Sequence, residues 1–166
     1  MTRPPSARLV ALLIGFSAIA CAGPMFAQTT IAMSGLQTDP AAPIEVTSDT
    51  LSVSQSDQRA VFSSNVIITQ GDLRISAETA EVSYDGASGQ ITELQLEGGV
   101  TLTTPTEAAE SETAQYIIGT SHLTMMGNVL LTQGAMVVAG DTMLTDLRAG
   151  TAQMNGNVRS SFATGQ

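Results

Sequence analysis

The chain repeats itself at a fixed distance, and that period restricts its fold more than any other feature. "SSNVIITQGDLRIS" runs from Ser63 to Ser76, and "MGNVLLTQGAMVVA" runs from Met126 to Ala139, 63 residues later. Both phrases belong to a longer rhythm. An acid followed by threonine stands at Asp49, Glu78, Glu112 and Asp141. An asparagine or glycine followed by valine stands at Asn65, Gly99, Asn128 and Asn157. Each Asn/Gly precedes the next acid by 13 residues, and each acid precedes the next Asn/Gly by 16, except from Glu78 to Gly99, where the interval is 21. The unit is therefore 29 residues with one five-residue insertion, expected at the turn formers of Tyr84–Gln90 (YDGASGQ). Self-similarity at this period signals stacked units that complete one another's core.

Inside each unit the period is two. Val66 and Ile68, Leu73 and Ile75, Val100 and Leu102, Val129 and Leu131, and Met136 and Val138 alternate with mostly polar neighbours. Such alternation, bounded by Gly, Asn and Asp, predicts half-buried β-strands. Gly71 and Gly134 fall between paired alternating runs, where a turn can require positive φ. The pattern predicts an all-β domain over residues 44–162, with a dozen or more short, mostly antiparallel strands stacked as strand-turn-strand rungs.

The ends read differently. Met1–Arg8 holds two arginines and no acid, Leu9–Gly23 is apolar, and "PMFAQ" follows. That layout predicts a secretory signal over residues 1–27. Residues 28–43, aperiodic and containing two prolines, read as a loose tail, and residues 163–166 as a short C-terminal one. The only cysteine, Cys21, lies in the leader, so disulfides are excluded from the exported chain. There is no lysine, and the net charge is −9. So acidic a domain repels a phosphate backbone, which argues against nucleic acid as a partner.

"PIEVTSDTLSVSQSDQRAVFSSNVIITQGDLRISAETAEV" (residues 43–82), followed by "GNVLLTQGAMVVAGDTMLTD", resembles the LptA/OstA family. Pro43, Ile44, Val46, Ser48 and Asp49 match that family's opening element. Phe62, Asn65, Val66, Ile68, Gln70, Gly71, Ile75, Ala77 and Glu78 match its second element, and Gly127, Asn128, Val129, Leu131 and Gln133 its third. Ser64 stands where the family usually has glycine. The resemblance implies an open, twisted β-jellyroll in the periplasm that binds lipopolysaccharide acyl chains in an apolar trough. It also implies head-to-tail stacking with an inner-membrane-anchored LptC-like jellyroll, with the periplasmic domain of an LptD-like translocon, and with further copies of itself.

The family's lipid-facing first strand transfers to Ile44 and Val46. Alternation adds Phe62, Val66, Ile68, Ile75, Ile91, Leu102, Val129, Leu131 and Val138 as groove residues, each of which simple core packing accounts for equally well. Arg74 is a candidate for head-group contact. Exposed sheet edges are expected near Ile44, Val46 and Ser48 and near Val158 and Ser160, where a partner strand can extend the sheet. The sole histidine, His122, has no Cys or patterned acid nearby, so no metal site is expected. The acid-threonine pairs recur with the repeat, as structural residues do and catalytic pairs do not, and no enzyme activity or cofactor is expected. Two other readings remain open: the membrane-anchored jellyroll of the same system, and an envelope scaffold without lipid.

Overall fold

The computed structural model describes residues 30–37, 39 and 41–162. The expected signal at 1–27 and the C-terminal tail at 163–166 lie outside the described residues. Eleven strands form one antiparallel sheet. They are β1 (Thr30–Ala32), β2 (Glu45–Thr47), β3 (Thr50–Ser54), β4 (Arg59–Gln70), β5 (Leu73–Tyr84), β6 (Ile91–Thr103), β7 (Glu107–Ile117), β8 (His122–Gln133), β9 (Met136–Asp146), β10 (Thr151–Asn155) and β11 (Arg159–Phe162). From β4 to β10 each strand pairs with the next in sequence. Strands β4 to β9 are 11 to 13 residues long, so the short strands expected from the sequence are in fact long ones interrupted at mid-length.

The interruption is the repeat. Alternate strands carry two successive residues with positive φ: Ser64 (65°) and Asn65 (51°) in β4, Gly98 (86°) and Gly99 (82°) in β6, Gly127 (83°) and Asn128 (47°) in β8. Gly156 (73°) and Asn157 (45°) continue the series between β10 and β11. Register shifts fall at these positions, between Ser63 and Val66, between Glu97 and Val100, and between Met126 and Val129. Each pair is a bulge that bends its strand and sharpens the local twist. The repeating acids sit opposite. Asn65 Nδ2 donates to Asp49 Oδ2 at 2.6 Å, Asn128 Nδ2 to Glu112 Oε1 at 2.6 Å, and Asn157 Nδ2 to Asp141 Oδ2 at 2.9 Å. Asparagine tolerates the left-handed region because its short amide can bond locally. The preceding glycines are demanded twice, by φ and by space. A Cβ at Gly98, Gly127 or Gly156 would run into the side chain of Glu78, Glu112 or Asp141.

A line of bulges across the strands lets the sheet double over, so that the half before the bulge faces the half beyond it. Tyr116, in the first half of the sheet, reaches Gln70, in the second, with its hydroxyl donating to Oε1 at 2.8 Å. The edge strands break at the same line. β2 and β3 are the two halves of one edge on β4, and β10 and β11 are the corresponding halves on β9.

The turn at the expected insertion, between Tyr84 and Ile91, is organised by Asp85, whose Oδ1 accepts from the backbone N–H groups of Ala87 and Ser88 and from the Ser88 hydroxyl. Those bonds, led by Ser88, hold its carboxyl below the ordinary range. One expectation fails. The aperiodic stretch at residues 28–43 is not a loose tail throughout, because Thr30–Ala32 pairs with β10 and Ser34–Leu36 forms a helical turn.

The bulge geometry generates a graded prediction. Gly127→Ala should cost about 2 kcal/mol or more, from the left-handed backbone and the collision with Glu112. Gly134→Ala, at a turn with open space, should cost about 1 kcal/mol. Ser64→Gly should stabilise by about 0.5–1 kcal/mol, since it relieves a left-handed serine. Urea-denaturation midpoints of the three variants measure the order.

Candidate functional site

Facing residues in an antiparallel ladder share one side of the sheet, so the interior can be read across the strands. In the half beyond the bulges one row runs Val46, Ile68, Ile75, Leu102, Ala109, Leu131, Val138, Ser160. In the half before them a row runs Val53, Ala60, Val82, Leu94, Tyr116, Leu123, Thr145, Ala152, Ile31. A parallel row runs Leu51, Phe62, Ala80, Leu96, Ala114, Met125, Met143, Met154. The inner surface is thus continuous and almost wholly apolar from one edge of the sheet to the other.

All eleven groove residues named from the sequence belong to this interior. Val66, Ile68, Ile75, Leu102, Val129, Leu131 and Val138 are buried, and Ile44, Val46, Phe62 and Ile91 are half-buried against the same core. Leu94, Leu96, Leu123, Met125 and Met143, each at most 1% exposed, were not among the residues named. Period-two alternation in "ITELQLE" and "HLTMM" carries the signal for the first four. The interior is filled by its own side chains, and Met33, Met125, Met143 and Met154 supply much of the filling. Unbranched thioether chains repack with little penalty, so a methionine-rich interior can change what it encloses.

Polar side chains close the mouth where the two halves meet. On one side Gln70, 2% exposed, accepts from Tyr116 and donates its amide to the Ala42 carbonyl at 3.2 Å. On the other side Gln133 Nε2 donates to Glu107 Oε1 at 2.8 Å and to the Ala32 carbonyl at 3.2 Å. Gln70 and Gln133 are the same letter of the twice-written Thr-Gln-Gly phrase, so the recurrence itself was the available signal.

The charged candidates lie elsewhere. Arg74 alternates away from Leu73 and Ile75 and stands on the outer face, opposite Thr69 and Thr103. Arg59 pairs with Glu81 on the outside at 2.8 Å. His122 is exposed, 3.9 Å from Asp146, and among the described residues no group of His, Cys, Asp and Glu could hold a metal. The expected edge residues Val46 and Ser160 lie in β2 and β11, with Ile44, Ser48 and Val158 flanking those strands.

Tyr116→Phe should destabilise by about 1–2 kcal/mol, because it leaves the buried Gln70 oxygen without its donor. The midpoint of chemical unfolding reads that loss, and Tyr84→Phe serves as a control at a half-buried position.

Comparison with known proteins places this architecture. A model of the family described as LptA/(LptD N-terminal domain) LPS transport protein matches residues 45–151. The chain is 27% identical over 158 residues to an uncharacterized protein of Rhizobium meliloti (strain 1021), covering 90% of this chain and 84% of that one. It is also similar in fold to the crystal structure of LptH, the LptA-homologous periplasmic component of the lipopolysaccharide transport device of Pseudomonas aeruginosa. That likeness has a TM-score of 0.68 at 15% identity and covers 76% of this chain and 99% of the other. The bulged sheet, its apolar interior and the family match over most of the strands agree: this chain belongs to the LptA/LptD N-terminal-domain family of lipopolysaccharide transport proteins.

Proposed function

We propose that this chain is a periplasmic, non-enzymatic carrier that shelters lipopolysaccharide acyl chains between its two half-sheets. It bridges inner- and outer-membrane export components by stacking edge to edge with LptC-like and LptD-like jellyrolls. The observation that carries this reading is how the interior ends. Among the described residues the three most exposed large apolar side chains are Phe162 (66%), Val53 (61%) and Leu51 (54%). Register puts all three on the inner face, at the two opposite edges, since Leu51 and Val53 face Phe62 and Ala60 while Phe162 faces Met136. A self-sufficient domain protects its edges with charge, proline or a covering element. Here, among the described residues, the apolar lining runs out bare at β3 on one edge and at β11 on the other, as it must if a second jellyroll continues it.

The energetics favour partial and shared enclosure. Each methylene withdrawn from water contributes about 0.8 kcal/mol. A carrier that buried every chain of a lipid completely would release none of them. An interior of repackable methionines, extended by neighbours rather than closed at its ends, avoids that trap. Head-group phosphates then project from the rim. Arg74 on the outer face near the β4–β5 turn remains the cation proposed for them, and the scarcity of others leaves the lipid's own counterions to balance the charge.

Val53→Asp and Phe162→Asp test the stacking directly, since both side chains are exposed enough for the fold to tolerate the change. Each should weaken concentration-dependent self-association at least tenfold by sedimentation equilibrium, while binding of lipopolysaccharide to a single copy persists. Assembly undiminished in both variants would contradict the edge-to-edge bridge. Stacked assemblies of the parent chain that take up no lipopolysaccharide would favour a scaffold instead.

A further inference from the structure

Residues 30–36 leave the β10 edge and cross the mouth between the two half-sheets. Thr30, Ile31 and Ala32 pair with Gln153, Ala152 and Thr151. Immediately beyond, the N–H of Met33 donates to the Gly150 carbonyl at 2.8 Å, in the β9–β10 turn. The N–H of Gly35 donates to Glu107 Oε1 at 3.3 Å, on the opposite rim. The crossing drives Met33 and Leu36 into the interior, where both are 0% exposed. Two flexible apolar side chains thus lie where an acyl chain entering at this mouth would lie.

The seat is tight and imperfect. A Cβ on Gly35 would run into Thr106 Oγ1 and Glu107 Oε2, so a larger residue at the crossing must push those side chains aside. Among the described residues, the buried side-chain atoms left without a hydrogen-bond partner are Glu107 Oε2 and Thr145 Oγ1. Glu107 adjoins this segment and holds Gly35, whereas Thr145 lies two strands from it, in the row that ends Ala152, Ile31. An unpaired buried polar atom is a standing cost that rehydration removes, so the closed seat has a built-in reason to open.

The same segment also caps an edge. β1 covers Thr151–Gln153 of the five-residue β10. At the other end of the sheet β3 is likewise five residues long, Thr50–Ser54, and occupies the same half. An aligned second copy would bring β3 antiparallel to an uncovered β10, and the inner row would then run from Ala152 to that copy's bare Val53.

Resting on the acyl-carrier reading above, we infer that residues 30–36 are an internal stopper. Acyl chains entering the trough displace Met33 and Leu36, and the departure of β1 bares β10 for the β3 edge of a second copy. Loading and stacking are therefore coupled through one seven-residue segment.

The test is a lock. In the exported chain recovered from periplasmic extract, which on the leader reading keeps no native thiol, Ala32→Cys and Thr151→Cys place two thiols on directly opposed residues. The oxidised form should bind purified lipopolysaccharide at least tenfold more weakly than the same protein after reduction, and should stay monomeric where the reduced form assembles. Gly35→Val provides the opposite perturbation. It should raise amide exchange along Thr151–Gln153 and strengthen lipopolysaccharide binding severalfold. Equal affinity in the two redox states, with binding intact, overturns the stopper and leaves the carrier standing. An absence of binding in parent, reduced and Gly35→Val proteins alike overturns both.

Discussion

A sheet of long strands cannot fold over on itself while every residue keeps an extended backbone. The constraint on which this structure depends is therefore the pair of left-handed residues that interrupts alternate strands. Asn65, Gly99, Asn128 and Asn157 recur because each marks one crossing of the fold line. Asp49, Glu112 and Asp141 recur because each accepts from the asparagine amide across that line. Glu78 faces two glycines instead, and its side chain lies over Gly98. Remove the line and the two half-sheets have no reason to face each other, and the apolar rows become one exposed face of an open sheet.

From that line follow both the interior and its openness. Doubling over pairs the row from Val46 to Ser160 with the rows beginning at Val53 and Leu51, and among the described residues neither edge receives a closing element across both halves. Of those residues only β1, over part of β10, covers any of it. The same doubling brings both rims together, which is why Gln70 and Gln133, at the ends of β4 and β8, can reach across the mouth to Tyr116 and to the Ala32 carbonyl. Structural repetition thus became mechanical symmetry: equivalent letters of the repeat hold equivalent points of the rim.

Much of this was legible in the sequence, for physical reasons. Alternation reports which side of a strand faces the core, so the inner rows could be read residue by residue, while the fixed period marked Asn65, Gly99, Asn128 and Asn157 but read as stacked rungs rather than as a fold line. What alternation cannot report is length: the bulges interrupt pairing without ending the strand, so long strands read as twice as many short ones. Three-residue β1 was invisible because Thr30–Ala32 is too short to show a period and is held by a partner more than a hundred residues away. Buried Gln70 also escaped assignment. Its neighbours marked it as motif, but only the meeting of two rims that are distant in the ladder gives it Tyr116 as a partner. Arg74 was drawn toward the head group by scarcity of other cations, and its alternation with Leu73 and Ile75 already placed it outside.

The central claim is that the inner face of the folded sheet, and not the outer, receives acyl chains. Ile68 and Ile67 are consecutive aliphatics on opposite faces of β4, the first 3% exposed in the interior and the second half-buried outside. A photoreactive residue placed at each position in turn, in cells that make lipopolysaccharide, measures the claim with a built-in control. The account predicts lipopolysaccharide adducts from position 68 and not from 67. Equal labelling from both positions, or none from either in folded protein, would contradict it.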